Sequence, residues 1–229
     1  MLLIIMKAER FEINRWPSNT NLTGRHITVD LDDVLGEYMQ GFIDFYNTKH
    51  ETRFLRSDLV RYDLAHYLGE KPSTIDRLVA DYSQTEEYAN MKVTSGAYQT
   101  LINLKDQGAK LTVLTSRFEG NANETSAWIC ANYPGIFSEI VYANGMNKSK
   151  GELAHKIGSN LHIDDAPKHL IDVRQYGIRG VVYSAPWNQD MQESNDLLRA
   201  NNFSQVEEVA LQLLERSRPT ASGLYVVGE

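Results

Sequence analysis

The stretch His26–Leu35 reads HITVDLDDVL and decides how this chain is expected to fold. Its first four residues are mostly apolar or β-branched and predict a short buried strand. Asp30 and Asp32 follow that strand. Because residues two apart at a strand end point the same way, both carboxylates should face one small volume. An isolated pair of this kind is usually a solvated turn, but the apolar Val34 and Leu35 that follow disfavour a turn at the surface.

Two carboxylates in one volume repel each other unless a cation lies between them or one of them binds a proton. Mg²⁺ prefers hard oxygen ligands and usually takes one or two carboxylates together with water and phosphate oxygens. The pair therefore indicates a magnesium site that could also bind a phosphate group.

Three further segments place polar residues where predicted strands end or a predicted helix begins. They are, in chain order, Thr115 with Ser116 and Arg117, then Lys150, then Asp164 with Asp165. Ligands bind at the carboxyl edge of an open α/β sheet, so these residues are candidates for one shared site. A lysine in that site would offset the carboxylates and stabilise charge on a transferring phosphoryl group.

Each segment also has an explanation that needs no ligand. The hydroxyls of Thr115 and Ser116 could hold a phosphoryl oxygen or simply form a cap or turn. Arg117 could contact phosphate or be a surface charge. The second acidic pair could cap the helix that follows it. Lys148 is close to Lys150, but Lys150 directly precedes a predicted helix and should point to the carboxyl edge of the sheet.

Predicted strands alternate with predicted helices along most of the chain. The strands are Ile27–Val29, Leu111–Leu114, Glu139–Tyr142, Leu161–Ile163 and Gly180–Tyr183, and the helices are Tyr98–Asp106, Asn123–Asn132, Gly151–Ile157 and Lys168–Gln175. This alternation predicts an α/β fold with a doubly wound, Rossmann-like parallel sheet. Between Leu35 and Ser95 no strand is evident, and apolar residues recur at helical spacing. A small helical cap inserted after the first strand is the simplest account.

The predicted boundaries follow from this pattern. They are an N-terminal extension at 1–25, an α/β core at 26–35 and 95–218 that ends with an amphipathic helix, a helical cap at 36–94, and a C-terminal tail at 219–229.

Composition excludes several classes of protein. A net charge of −7 over 229 residues argues against binding a nucleic acid polymer, which needs clustered Lys and Arg. The apolar run Met1–Met6 is far shorter than the ~20 residues that span a bilayer, so no membrane association is expected. The single Cys130 excludes an internal disulfide, fits a cytoplasmic location, and is predicted to be a buried thiol in an apolar helix. A homodimer is compatible with this composition.

From about His26 to Trp187 the four motifs stand in an order that resembles the haloacid dehalogenase-like hydrolase superfamily. The helical insert is similar to the caps of the 5′(3′)-deoxyribonucleotidase group, the cytosolic type C nucleotidases, and the run Val181–Asn188 is similar to the closing strand and turn of that group. The resemblance implies a Mg²⁺-dependent phosphatase for a small phosphate monoester. A nucleoside monophosphate is the leading substrate, and a sugar phosphate or another small metabolite is the alternative.

The resemblance also implies roles for the acidic residues. Asp30 would attack phosphorus and become an aspartyl-phosphate, and Asp32 would act first as acid and then as base. The metal would be held by Asp30, the backbone carbonyl of Asp32, and Asp165, with Asp164 assisting. Asp33 stands where glycine often follows the second aspartate in that superfamily. This departure adds a negative charge near the expected substrate site.

The remaining roles belong to the middle motifs. Thr115 would bind a phosphoryl oxygen, Lys150 would pair with the nucleophile and the phosphate, and Ser116 and Arg117 would contact the substrate. Cap residues could contribute stacking faces or charges to the substrate, although aromatic residues at helical spacing are more often core. These candidates are Phe42, Phe45, Tyr46, Tyr62, Tyr67, Arg53, Arg56 and Arg61.

Two other classes of function share part of this pattern. A phosphoacceptor signalling module of the receiver type also uses acidic residues, a hydroxyl and a lysine on a doubly wound sheet. There the acidic pair precedes the phosphorylated aspartate, whereas here the acidic residues bracket the other two motifs. A non-catalytic binding protein could keep the same scaffold, but every expected catalytic group is present in this chain.

Overall fold

The structure is a computed structural model that describes residues 20–144 and 148–215. Most of the predicted N-terminal extension, including Met1–Met6, and the whole predicted tail at 219–229 lie outside the described residues. The strands are β1 (His26–Val29), β2 (Lys110–Phe118), β3 (Glu139–Asn144), β4 (Leu161–Asp164), β5 (Arg179–Tyr183) and β6 (Leu197–Ala200). The α-helices are α1 (Tyr38–His50), α2 (Leu64–Leu68), α3 (Pro72–Tyr82), α4 (Glu86–Ala89), α5 (Ala97–Asp106), α6 (Ala122–Asn132), α7 (Lys150–Lys156), α8 (Pro167–Gln175) and α9 (Phe203–Glu215).

The six strands form one parallel sheet in the order β3-β2-β1-β4-β5-β6. The chain winds outward from β1 to β3, then crosses to β4 on the other side of β1 and winds outward again. This is the predicted doubly wound α/β fold. The order reverses between β1 and β4, and in such sheets ligands bind outside the carboxyl ends of the strands at that point. Asp30 follows β1 directly, and Asp164 is the last residue of β4.

The sheet is buried on both faces, as expected when crossover helices cover a parallel sheet. All four residues of β1 and all four of β4 are buried. The apolar side chains of these central strands pack with those of α5, α6 and α9 in one core. The two acidic motifs are therefore carried by the most buried strands in the molecule.

The cap helices α1–α4 lie between β1 and α5 and have an apolar cluster of their own. Met39, Phe42, Ile43 and Tyr46 are all buried on α1, at the predicted helical spacing. The segment of the cap between α1 and α3 is only partly helical. It contains a short 3-10 helix and the one-turn α2, and Val60 between them is exposed.

Three features differ from expectation or extend it. The edge strand β6 was not predicted from the sequence. Cys130 is exposed rather than buried, because α6 turns Thr125, Trp128 and Ile129 inward and leaves Cys130 on the outer face. Among the helices of residues 20–144 and 148–215, none is both long and apolar enough to cross a bilayer.

Candidate active site

Asp30 and Asp164, the last residue of β4, both form ion pairs with the buried side chain of Lys150. The Lys150 Nζ atom lies 2.7 Å from Asp30 Oδ1 and 2.8 Å from Asp164 Oδ2, and the Lys150 side chain is 1% exposed. Lys148 instead pairs with Glu152 one helical turn away. The structure therefore brings Lys150, and not Lys148, to Asp30.

Asp164 is surrounded by donors. Besides Lys150, its Oδ2 atom lies 2.9 Å from His162 Nε2 and 3.2 Å from His169 Nδ1, and its Oδ1 atom accepts a hydrogen bond from the Ala166 backbone N–H. Burial raises the pKa of Asp164, but Lys150 and the histidine hydrogen bonds outweigh burial and hold that pKa well below its usual range. Asp164 is therefore a fixed anion that holds Lys150 in place.

Asp165 has a different environment from its neighbour. Its Oδ2 atom accepts a hydrogen bond from the indole N–H of Trp187 at 2.7 Å, and its backbone carbonyl accepts one from the Asn188 side chain at 2.8 Å. Asp165 is 2% exposed, yet none of the ion pairs among the described residues includes it. It is a buried carboxyl with neutral donors alone.

Asp32 is paired with Arg117, which the sequence predicted to contact substrate. Arg117 Nε lies 3.1 and 3.0 Å from the two Asp32 carboxylate oxygens, and Arg117 Nη2 lies 2.6 Å from Oδ1. The guanidinium therefore binds the carboxylate through two of its nitrogens, which is the strongest geometry for such a pair.

Thr115 and Ser116 of β2 have different surroundings at the site. Thr115 is fully buried, and its Oγ1 atom accepts a hydrogen bond from the Arg117 backbone N–H at 3.1 Å, which leaves its own O–H to be donated. Ser116 lies beside His169, with its Oγ atom 3.5 Å from His169 Nε2. Both side chains lie at the carboxyl end of a strand adjacent to β1.

Residues from the cap complete the surroundings. Arg56 donates to the Asp33 carboxylate at 3.3 and 3.2 Å, and its guanidinium lies 4.8 Å from the centre of the Trp187 ring. Tyr62, which is half exposed, stands edge-on to Trp187 with ring centres 5.6 Å apart. Cap side chains thus reach the residue that binds Asp165.

The sequence model of one protein family, described as "5' nucleotidase, deoxy (Pyrimidine), cytosolic type C protein", matches residues 25–216. The chain belongs to this family. The match covers the sheet, the cap and every residue of the site. A search among curated proteins found no match.

Solved structures similar to this type C nucleotidase family member include hydrolases of the haloacid dehalogenase superfamily. A superfamily hydrolase from Geobacter sulfurreducens is 17% identical, with a TM-score of 0.57 over 84% of this chain and 98% of that one. A haloacid dehalogenase-like protein from Streptococcus pneumoniae is 13% identical, with a TM-score of 0.63 over 81% and 98%. A Bacillus subtilis superfamily hydrolase bound to magnesium is 13% identical, with a TM-score of 0.54 over 81% and 97%. The family match makes the protein a phosphoric monoester hydrolase, and these structures confirm its fold.

The site of this type C nucleotidase family member carries more buried negative charge than its own cations offset. Burial, and after it the charge of Asp164, raises the pKa of Asp30 to about 7 even with Lys150 adjacent. Burial and the charges of Asp164, Asp33 and Asp30 raise the pKa of Asp165 well above its usual range. A divalent cation bound by carboxylate and carbonyl oxygens would offset this charge, so the donor set fits Mg²⁺.

Three residues that build this site were not assigned from the sequence, and Arg56 was predicted only as a candidate substrate contact. His162 and His169 hold Asp164, Trp187 holds Asp165, and Arg56 holds Asp33. One signal was available, because His162 precedes Asp164 by two residues in a strand and must point the same way. His169 follows Asp164 by five residues on the next helix, whereas Trp187 and Arg56 are 22 and 23 residues from the carboxyls that they contact.

Proposed function

We propose that this type C nucleotidase family member is a Mg²⁺-dependent phosphatase that hydrolyses a nucleoside monophosphate through an aspartyl-phosphate on Asp30. The observation that carries the proposal is the buried Lys150 ammonium 2.7 Å from the Asp30 carboxylate at the switch point of the sheet. A lysine there favours the ionised form of the nucleophile and offsets the charge of an incoming phosphate.

In the first step an Asp30 oxygen forms a bond to phosphorus while the bond from phosphorus to the leaving oxygen breaks. Asp32 gives its proton to that oxygen, so an alcohol departs rather than an alkoxide. In the second step a water oxygen attacks the phosphorus of the aspartyl-phosphate, and Asp32 takes a proton from the water. Inorganic phosphate leaves, and the Asp30 carboxylate is restored. The Thr115 hydroxyl would donate to a phosphoryl oxygen during both steps.

Asp30, Asp165 and the backbone carbonyl of Asp32 would hold the metal. When bound, Mg²⁺ neutralises phosphoryl charge and orients the phosphate for in-line attack. Asp30, Asp164 and His169 also offer ligand atoms within 4.8 Å of one another. However, both Asp164 oxygens already accept hydrogen bonds, and His169 provides one of them. We therefore assign Asp164 to the support of Lys150 rather than to the metal.

The substrate assignment rests on the family match, since members of a nucleotidase family act on nucleotides. A sugar phosphate or another small metabolite is the alternative, because Tyr62 and Arg56 at the cap edge could serve either kind of leaving group. The cytosolic description of the family supports a cytoplasmic location. The homodimer stays a prediction.

The experiment is a phosphate-release screen with nucleoside monophosphates and sugar phosphates, with and without Mg²⁺. Asp30→Asn should abolish turnover without unfolding the protein, whereas Asp196→Asn, which alters an ion pair with Arg174 outside the site, should retain activity. Turnover of sugar phosphates with no turnover of nucleotides would replace the proposed substrate by the alternative. Wild-type activity in Asp30→Asn would remove the proposed nucleophile.

A further inference from the structure

Arg117 is a buried cation whose three nitrogens all have partners in the protein. The residue is 8% exposed, and its Nε and Nη2 atoms are bound to the Asp32 carboxylate. Its Nη1 atom lies 3.4 Å from Thr125 Oγ1 on α6, and Nη2 also lies 3.6 Å from Met91 Sδ. A guanidinium has five N–H groups, and the contacts with Asp32, Met91 and Thr125 leave at most one of them, on Nη1, for a phosphate.

The flat face of the same guanidinium rests on the cap. Its central carbon lies 4.6 Å from the centre of the Tyr88 ring on α4, a distance typical of a cation–π contact. Arg117 itself belongs to β2, and Thr125 belongs to α6 of the core. The guanidinium is thus enclosed by strand, core helix and cap helix, and its orientation is fixed from three sides.

This enclosure has a consequence for Asp32. Asp30 and Asp33 are buried carboxyls close to it in the chain, and their charges repel that of Asp32, so the ion pair with Arg117 holds the Asp32 side chain against this repulsion. The two contacts at Asp32 Oδ1 and the single contact at Oδ2 set the plane of the carboxylate and leave Oδ2 the less engaged oxygen. A lysine could supply the charge but not the planar fork that fixes this orientation.

We propose that Arg117 is a positioning residue for the acid and base Asp32, and not a substrate contact. The inference rests on the proposed function and deepens it. Arg117 holds the Asp32 carboxyl group so that Oδ2, when it carries the proton, can pass it to the leaving oxygen and can later accept one from water. The stacking on Tyr88 makes this orientation depend on the cap.

The test compares two leaving groups. The leaving group of a nucleoside 5′-monophosphate is an alkoxide that needs a proton. The leaving group of 4-nitrophenyl phosphate is a stabilised phenolate that does not. We expect Arg117→Ala to lower kcat/KM for the nucleotide by about 10²-fold, the contribution of a general acid, and to lower it much less for 4-nitrophenyl phosphate. The parameter kcat/KM covers phosphoryl transfer to the enzyme and excludes later hydrolysis of the intermediate.

Four further variants sharpen the comparison. Asp32→Asn should show the same dependence on leaving group, and the double variant should lose no more nucleotide activity than Asp32→Asn alone, because both changes remove one function. Arg117→Lys should fold and show an intermediate ratio, which keeps the test valid if Arg117→Ala is unstable. Arg174→Ala removes another paired arginine outside the site and should leave the ratio at the wild-type value.

Added guanidinium ion should restore part of the nucleotide activity of Arg117→Ala. Equal losses for both esters, or a higher KM with unchanged kcat for both, would overturn the positioning role and favour a structural or substrate-binding role. A wild-type protein that hydrolyses neither ester would overturn the proposed function, and this inference with it. That result is distinct from an active enzyme whose variants lose both activities equally.

Discussion

At the scale of single residues, the adjacent carboxyls Asp164 and Asp165 have opposite tasks. Successive side chains at a strand end point to opposite sides, so two neighbours in sequence face different partners. Asp164 faces Lys150 and two histidines, while Asp165 faces the indole of Trp187. Asp164 therefore holds the Lys150 ammonium group, whereas Asp165 is a candidate ligand for a bound metal ion.

This difference predicts two distinct defects. Asp165→Asn should raise the Mg²⁺ concentration for half-maximal activity by about tenfold or more, because a direct ligand is lost. Asp164→Asn should lower kcat with little change in that Mg²⁺ requirement, because Lys150 loses one of its two anionic partners. Titration of activity with Mg²⁺, for both variants and the wild type, measures the two effects. Equal shifts in the Mg²⁺ requirement would show that both residues are ligands.

The sequence predicts the positions of residues most directly where those positions follow from one strand. Asp30, Thr115 and Asp164 each end an apolar run, and the strand ends of a parallel sheet meet at one edge, so their convergence was predictable. The partner of Arg117 was not predictable in this way. Arg117 lies next to two predicted phosphate contacts, and only the packing of β2 against the cap shows that its guanidinium turns to Asp32.

At the scale of elements, the same logic explains the strands and helices. The interior strands are β-branched and apolar, and they were predicted. The edge strand β6 reads LLRA and has neither β-branched residues nor a regular alternation, so its pairing with β5 depends on the sheet already being formed. Helix α6 has an almost continuous apolar stretch, so the sequence does not show which face of the helix is buried. The prediction of a buried Cys130 was wrong for this reason.

The junction between cap and core gives a prediction at this scale. Asp33 has φ 60°, a left-handed conformation that costs a non-glycine residue roughly 1–2 kcal/mol. In return its carboxylate binds Arg56 and accepts a hydrogen bond from the Met39 backbone N–H near the start of α1. A glycine at this position would relax the backbone but release the cap.

We therefore expect Asp33→Gly to change the free energy of unfolding by no more than about 1 kcal/mol, because the relieved strain offsets the lost contacts. The KM for the substrate should rise, since Arg56 and the cap edge lose their anchor. Urea denaturation and steady-state kinetics measure the two quantities. Asp33→Asn is the matched control, because it tolerates the same backbone and keeps an acceptor for Met39. An unchanged KM in the glycine variant would show that Asp33 does not position the cap.

At the scale of the whole molecule, stability depends on groups far from the site. His26 begins β1 at the opposite end of the strand from Asp30. Its Nδ1 atom lies 2.9 Å from the Ile157 carbonyl oxygen, and its Nε2 atom lies 2.8 Å from Thr112 Oγ1. The carbonyl requires a proton on Nδ1, and the hydroxyl can donate to an unprotonated Nε2, so the neutral ring satisfies both partners.

Burial is the main reason that the pKa of His26 is lowered from 6.5 in the folded protein. As the pH falls through 6.5, the unfolded chain binds a proton that the folded chain does not yet bind, so acid favours unfolding. The contribution of His26 is therefore present in full above pH 6.5 and is lost as the pH falls toward the lower folded pKa. The slope from this one group is at most about 1.4 kcal/mol per pH unit.

His26→Gln should be less stable than the wild type at pH 7.5, but its free energy of unfolding should fall less steeply between pH 7 and pH 5.5. Carboxylates and the other histidines titrate in both proteins, so the difference between the two slopes isolates His26. Urea denaturation at several pH values gives the slopes, and the exposed His66, replaced in the same way, is the matched control. Parallel slopes for the wild type and His26→Gln would mean that the ring is not held neutral by its burial at the base of β1.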